Sequence, residues 1–164
     1  MILVKIQSIL AIKADILVLS ANPSLLAGSG ISGVIHKAAG LQLEAAAKPF
    51  APLMPGQAII TPAFNLSAKY VIHTVCPRYM DGQRGESEQL YNAYASALAL
   101  HSEAPDAKSI TFVSMGTGVY KWPMALAADI AVKALLTSTF DETLMCVMDE
   151  ATRVVYQGAL DRHR

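Results

Sequence analysis

Short apolar runs alternate with amphipathic stretches along the whole chain. Residues 2–6, 16–19, 58–61, 70–75, 109–114 and 144–148 are β-branched or leucine-rich and only a few residues long, the form of buried strands. Between them, 31–39, 41–48, 87–102, 124–136 and 150–160 read as helices. In 87–102 the stripe is imperfect and rests on Leu90, Tyr91, Tyr94, Leu98 and Leu100. Gly40 separates the first two helices as a C-cap. Pro49, Pro52 and Pro55 make 50–56 a loop, and 65–67 is a turn. The polar stretch 77–86, with Gly82 and Gly85, reads as an exposed loop. Strands alternating with helices over 164 residues predict one domain spanning 1–164. Its fold class is α/β, a three-layer α/β/α sandwich around a mixed central sheet of about six strands.

In such a sheet ligands bind beyond the carboxyl ends of the strands, and two glycine-rich junctions fall there. The first, 19–40 (LSANPSLLAGSGISGVIHKAAG), leads from a strand through Gly28, Ser29 and Gly30 into the helix starting at Ile31. A strand–loop–helix junction offers free backbone N–H groups and the positive end of a helix dipole, which suit a phosphate or pyrophosphate. Glycine permits φ > 0 and lets the ligand approach the backbone. The second junction, 112–123 (FVSMGTGVYKWP), repeats the arrangement with Gly116, Thr117 and Gly118. Taken alone, Gly28-Ser29-Gly30 is equally a tight turn, and its spacing fits neither the GxGxxG fingerprint nor a P-loop. As a pair, the loops can pinch a diphosphate between them.

Composition narrows the classes. Hydrophobic residues make up 53% and charged residues 16%, which excludes disorder and fits a heavily buried sheet. Lys+Arg and Asp+Glu balance at 13 each, and no basic run occurs, so strong nucleic-acid binding by phosphate neutralisation is not expected. Lys5, Lys13 and Asp15 interrupt the first apolar residues; neither a secretory segment nor a membrane span is expected, and the cytoplasm is the expected location. Cys76 and Cys146 lie in or at the end of apolar strands without ligand spacing, so two buried thiols are expected. No metal site or cofactor is expected. His36 and His73 read as satisfied core histidines, and Asp15 as a turn or cap residue.

Three segments, in order, carry a resemblance over nearly the whole chain: DILVLSANPSLLAGSGISGVIHKAAG, PGQAIITPAFNLSAKYVIHTVCP and ITFVSMGTGVYKWPMALAADIAVKAL. Together they resemble the macro domain family, the ADP-ribose-binding module. The resemblance implies a cleft holding ADP-ribose along the top of the sheet. Gly28, Ser29, Gly30 and Ile31 would line the diphosphate and the near side of the distal ribose, beside Ala21 and Asn22. Gly116, Thr117, Gly118, Val119 and Tyr120 would clasp the diphosphate from the other side, with the Tyr120 ring against the distal ribose. Asn22 matches the family asparagine that binds the ribose hydroxyls, and it is the one residue assigned a catalytic positioning role. Capping the turn is the other reading for Asn22, and a core tyrosine the other reading for Tyr120.

The departures from the pattern matter as much. Leu19 stands where the family has a further asparagine, and Ser32 where hydrolytic members carry an acid. A serine hydroxyl does not ionise near neutral pH, so it is no general base unaided. At the adenine end Ser8 replaces an acid and Met148 an aromatic, which implies a softer grip on the base. Lys121, beside the second loop, could pair with a phosphate or simply face solvent. The expected function is binding of ADP-ribose or a related nucleotide diphosphate, free or attached to an ADP-ribosylated protein. The alternatives are an ADP-ribosyl hydrolase or deacetylase acting on O-acetyl-ADP-ribose or modified protein, and a regulatory module with a vestigial cleft.

Overall fold

The structure, a computed structural model, describes residues 1–116 and 120–164. Its elements run β1 (Ile2–Ile6), β2 (Ile16–Ala21), α1 (Gly30–Ala39), α2 (Leu41–Ala47), β3 (Ala58–Pro62), β4 (Tyr70–Val75), α3 (Glu86–Ala99), β5 (Ser109–Val113), α4 (Met124–Leu135), β6 (Glu142–Val147) and α5 (Glu150–His163). The six strands form one sheet in the order β1-β6-β5-β2-β4-β3, parallel except where β3 pairs antiparallel to β4. Helices α3, α4 and α5 pack side by side, and α1 packs with α2, giving the α/β/α sandwich. The middle strands are buried almost end to end, as a sheet covered on both faces requires. Edge strand β3 is only partly buried and ends in Pro62, which cannot extend a ladder.

The observed elements differ from the expected ones in three places that bear on function. Strand β2 runs two residues further than the expected 16–19, to Ala21, so Ser20 and Ala21 stand on a fixed strand end. Helix α5 continues to His163. The stretch 77–86 is not wholly an exposed loop: Glu86 is 2% exposed and opens α3. Gly40, at φ +95, donates its N–H to the His36 carbonyl and turns α1 into α2, the role read from sequence. Asp15 acts as a clamp at the opposite end of the sheet. Its carboxylate accepts the Lys108 and Ser109 N–H groups, and its carbonyl accepts those of Lys69 and Tyr70.

One gap in the ladder positions everything that follows. Strand β2 is paired with β4 along its whole length, and β5 likewise with β6, yet β2 and β5 share only Ile16↔Ile110 and Leu17↔Thr111. Beyond those pairs the two strands part toward their carboxyl ends. This is also where the connections diverge, β2 leading toward β4 and β3, β5 toward β6, the topological switch point at which α/β sheets take ligands.

Candidate functional site

A cavity of about 370 Å³ fills the split between β2 and β5. Its floor and sides come from Ser20, Ala21 and Asn22 at the end of β2 and from Val113, Ser114 and Met115 at the end of β5. Gly28, Ser29, Ile31 and Ser32 close one wall; Gly116 and Tyr120 close the other. The structure thus brings together seven of the residues singled out from sequence: Ala21, Asn22, Gly28, Ser29, Ile31, Gly116 and Tyr120. Gly30 lies between Ser29 and Ile31 with φ +64, a backbone region open to glycine. Thr117, Gly118 and Val119 lie outside the described residues. Ser8 and Met148 are exposed and neighbour one another across the β1–β6 edge, where Gln7 N–H donates to the Val147 carbonyl. They share the carboxyl edge of the sheet but do not line the cavity. A larger depression of about 560 Å³ lies at the other end of the sheet, around His101, Pro105 and Thr139. Both His101 ring nitrogens are engaged there, by Thr139 Oγ1 and the Ala107 carbonyl, so it offers no convergent polar groups.

The first wall is built from its own residues. Asn22 Oδ1 accepts from Ser24 Oγ and the Leu26 N–H, and its Nδ2 donates to the Leu26 carbonyl. That is the turn-capping reading of Asn22, realised while the residue also lines the cavity. Helix α1 then starts with no side-chain cap and no acidic residue in its first turn. Its N-terminal N–H groups and dipole are left for an anion. Ser32 Oγ is buried beside them with no hydrogen-bond partner. Gly33, which sequence reasoning passed over, sets the spacing: a Cβ there would run into the Gly28 carbonyl oxygen. A glycine one turn inside a helix that follows a glycine loop is the signal that could have revealed it.

The second wall leans on distant parts of the chain. The Met115 N–H donates to Tyr94 Oη of α3 at 3.0 Å, in the core. Burial, with Tyr156 nearby, pushes the Tyr94 phenol well above its ordinary value, so it stays a neutral acceptor. Gly116 has φ +91, and a Cβ there would lie 2.5 Å from Trp122 Cδ1. Trp122 returns its N–H to the Gly116 carbonyl and sends its indole N–H to the Pro77 carbonyl, both at 2.9 Å. Trp122 is therefore a buried strut, 3% exposed, while Lys121 beside it is exposed at φ +61. Tyr120 is half-buried against the core, with the Arg78 guanidinium 5.9 Å from its ring centre.

Residues outside the cavity follow their chemistry. Leu19 is fully buried in β2. Cys76 and Cys146 are free and buried, and burial pushes the Cys76 thiol up to about 12. His36 and His73 are buried with ring centres 6.1 Å apart, but the satisfied-histidine reading holds only in part. His73 Nε2 meets Thr61 Oγ1 at 3.0 Å, whereas Nδ1 of each ring has no partner. Burial, then the neighbouring His36, lowers His73 to about 3. Among the described residues no helix is long and apolar enough to cross a membrane.

The macro domain family model matches residues 18–131, which include the first wall, the carboxyl ends of the split strands and most of α4. A macro domain-containing protein of Lactiplantibacillus plantarum is 40% identical over 152 residues, 89% of this chain and 88% of that protein. An O-acetyl-ADP-ribose deacetylase of Klebsiella pneumoniae is 41% identical over 161 residues, 93% of this chain and 91% of the relative. Among solved structures, the Oceanobacillus iheyensis macrodomain with ADP superposes with a TM-score of 0.88 at 31% identity, covering 98% of this chain and 90% of the other. A variant of the same macrodomain with ADPR gives 0.88 at 32% identity, covering 98% and 91%. On its sequence and on its fold alike, the chain belongs to the macro domain family.

Proposed function

We propose that the protein binds ADP-ribose, or a nucleotide diphosphate like it, in the cavity between β2 and β5, free or carried on an ADP-ribosylated protein. One observation carries the reading. Two glycine-bearing walls face each other across a 370 Å³ cavity, one of them the uncapped, acid-free N-terminus of α1 with the orphaned Ser32 hydroxyl beside it. A diphosphate supplies the acceptor oxygens those donors lack. The diphosphate would sit between Gly28–Ile31 and Gly116, and the distal ribose between Asn22 and the Tyr120 ring. The open edge by Ser8 and Met148 would take the adenine, and the cytoplasm is the proposed setting.

A relative named O-acetyl-ADP-ribose deacetylase, 41% identical, favours ester hydrolysis as a second reading. Ser32 supplies no base near neutral pH, so a substrate phosphate or an ordered water would have to activate the attacking water. Calorimetry separates the readings. ADP-ribose should give saturable heat, weakened about a hundredfold by Gly28→Glu, which sets a carboxylate in the anion seat. No heat from ADP-ribose or ADP would remove the binding proposal. Turnover of O-acetyl-ADP-ribose by the unaltered chain would establish the hydrolase, and a higher rate in Ser32→Asp would locate what the chain lacks.

A further inference from the structure

We infer that Glu86 is a positioning residue for the cleft: its buried carboxylate organises the segment Pro77–Gly85 into a strap that holds the second wall, at Tyr120 and Trp122, in its ligand-ready place. The inference rests on the nucleotide-binding reading above. Glu86 is 2% exposed, and no cation pairs with it among the described residues. A buried carboxylate is costly unless hydrogen bonds replace its water. Here backbone donors do so: Oε2 accepts the Met80 and Asp81 N–H groups at 2.8 and 3.2 Å, and Oε1 accepts the Arg84 N–H at 2.7 Å. Burial alone would raise its pKa, yet these donors hold it down to about 2.

The residues just ahead of that knot are the ones that touch the cleft wall. Tyr79, next to Met80, donates its N–H to the Tyr120 carbonyl at 3.0 Å. Its ring packs on Trp122 with centres 5.1 Å apart. Pro77 accepts the Trp122 indole N–H, and Arg78 stands over the Tyr120 ring. Gly82 and Gly85 both sit at positive φ, so the strap has little stiffness of its own. With Glu86 in place, four backbone and side-chain groups on the strap are fixed against the wall: the Tyr79 N–H and ring, the Pro77 carbonyl and the Arg78 guanidinium. Without it, Tyr120 and the Gly116–Trp122 closure lose their outer support while the sheet is untouched. Glu86 itself does not line the cavity, so it acts only through the strap.

The test uses the chain's single tryptophan, which is Trp122. Glu86→Gln keeps the shape but turns one acceptor oxygen into a donor facing N–H groups. Expected are a red-shifted, more quenchable Trp122 emission and a roughly tenfold weaker Kd for ADP-ribose. Far-UV circular dichroism and exchange protection in β2 and β4 should stay as in the unaltered protein. Val4→Ala, in β1 at the far edge of the sheet, should lower thermal stability and leave emission and Kd unchanged. A Glu86→Gln protein with unaltered emission or unaltered Kd overturns the inference. Should Glu86→Gln fail to fold, Tyr79→Ala decides: a Kd raised about threefold or more supports the strap, and an unchanged Kd overturns it. Should the unaltered protein bind no ADP-ribose, the nucleotide reading falls alone. Trp122 emission in the variants then still judges whether Glu86 holds the wall.

Discussion

The two walls of the cleft face one another but are built in opposite ways. The first is contiguous. Asn22 ties the turn to Leu26, Gly28 packs under Gly33, and α1 begins within the same few residues. The second is held from outside by Tyr94 of α3 beneath Met115 and by the Pro77–Gly85 strap behind Tyr120 and Trp122. A contiguous wall fails through its own residues, the helix it starts or what packs directly on that helix. A wall held from a distance can be moved by substitutions that never approach the ligand. The difference also separates what each wall is suited to. The first presents the backbone donors of an uncapped helix start, and the second presents a glycine turn and a tyrosine whose places are set by groups elsewhere in the fold.

The largest effect is expected where the contiguous wall has no slack. Gly33→Val drives a branched side chain into the Gly28 carbonyl. Overpacking of this kind costs about 1–3 kcal/mol, and here it is relieved only by pushing the anion loop off the helix. ADP-ribose affinity should fall about a hundredfold, with a clear loss in thermal stability. Calorimetry beside a thermal melt checks both, and retained affinity would show that the first wall yields after all. A smaller effect is expected at the remote support of the other wall. Tyr94→Phe leaves the buried Met115 N–H without its acceptor, at about 1–3 kcal/mol of stability. Because Met115 carries Gly116 with it, the affinity should drop about fivefold, read by the same titration. An equal loss in the two variants would erase the distinction between the walls.

The same contrast decides what could be read in the sequence. The order of strands and helices was legible because each strand is a short, nearly unbroken apolar run, and the first wall because all its parts are sequence neighbours. Trp122, Tyr94 and Glu86 were not legible as supports. Tyr94 looks like any member of a helical stripe, and it is one; only the fold brings Met115 N–H onto its oxygen. Glu86 closes a polar, glycine-bearing stretch that composition alone assigns to solvent, and its burial follows from three backbone N–H groups that no spacing rule predicts. The mouth of the cleft shows the converse. The two-pair ladder between β2 and β5 is a property of register, which apolar runs on both strands leave unmarked. Asn22 was legible in kind but not in detail, since capping its turn and facing the cavity proved compatible.

Acid should separate the walls with the mildest effect of all. His36 rides on α1, the first wall's helix, and His73 faces it from β4. Burial lowers His73 to about 3, and burial lowers His36 against the opposing pull of Glu44. Both folded values lie below the ordinary 6.5, so the neutral forms are the ones the fold favours. Their contribution to stability is whole above 6.5 and is lost as the pH falls through that value, for His73 down toward 3. Glu86 is depressed from 4.5 to about 2, so its contribution is whole above 4.5 and drains only below it. Between those two thresholds the first wall is under strain and the second is not. Lowering the pH from about 7.5 to about 5 should reduce the urea midpoint and lower the amide protection factors in α1, taken against the intrinsic exchange rate at each pH, while Trp122 emission holds steady. His73→Gln, which cannot titrate, should flatten the pH slope over that interval. An unchanged slope in that variant would show that His73 is not its source, and Trp122 emission shifting before α1 protection falls would mean that acid reaches the supported wall first.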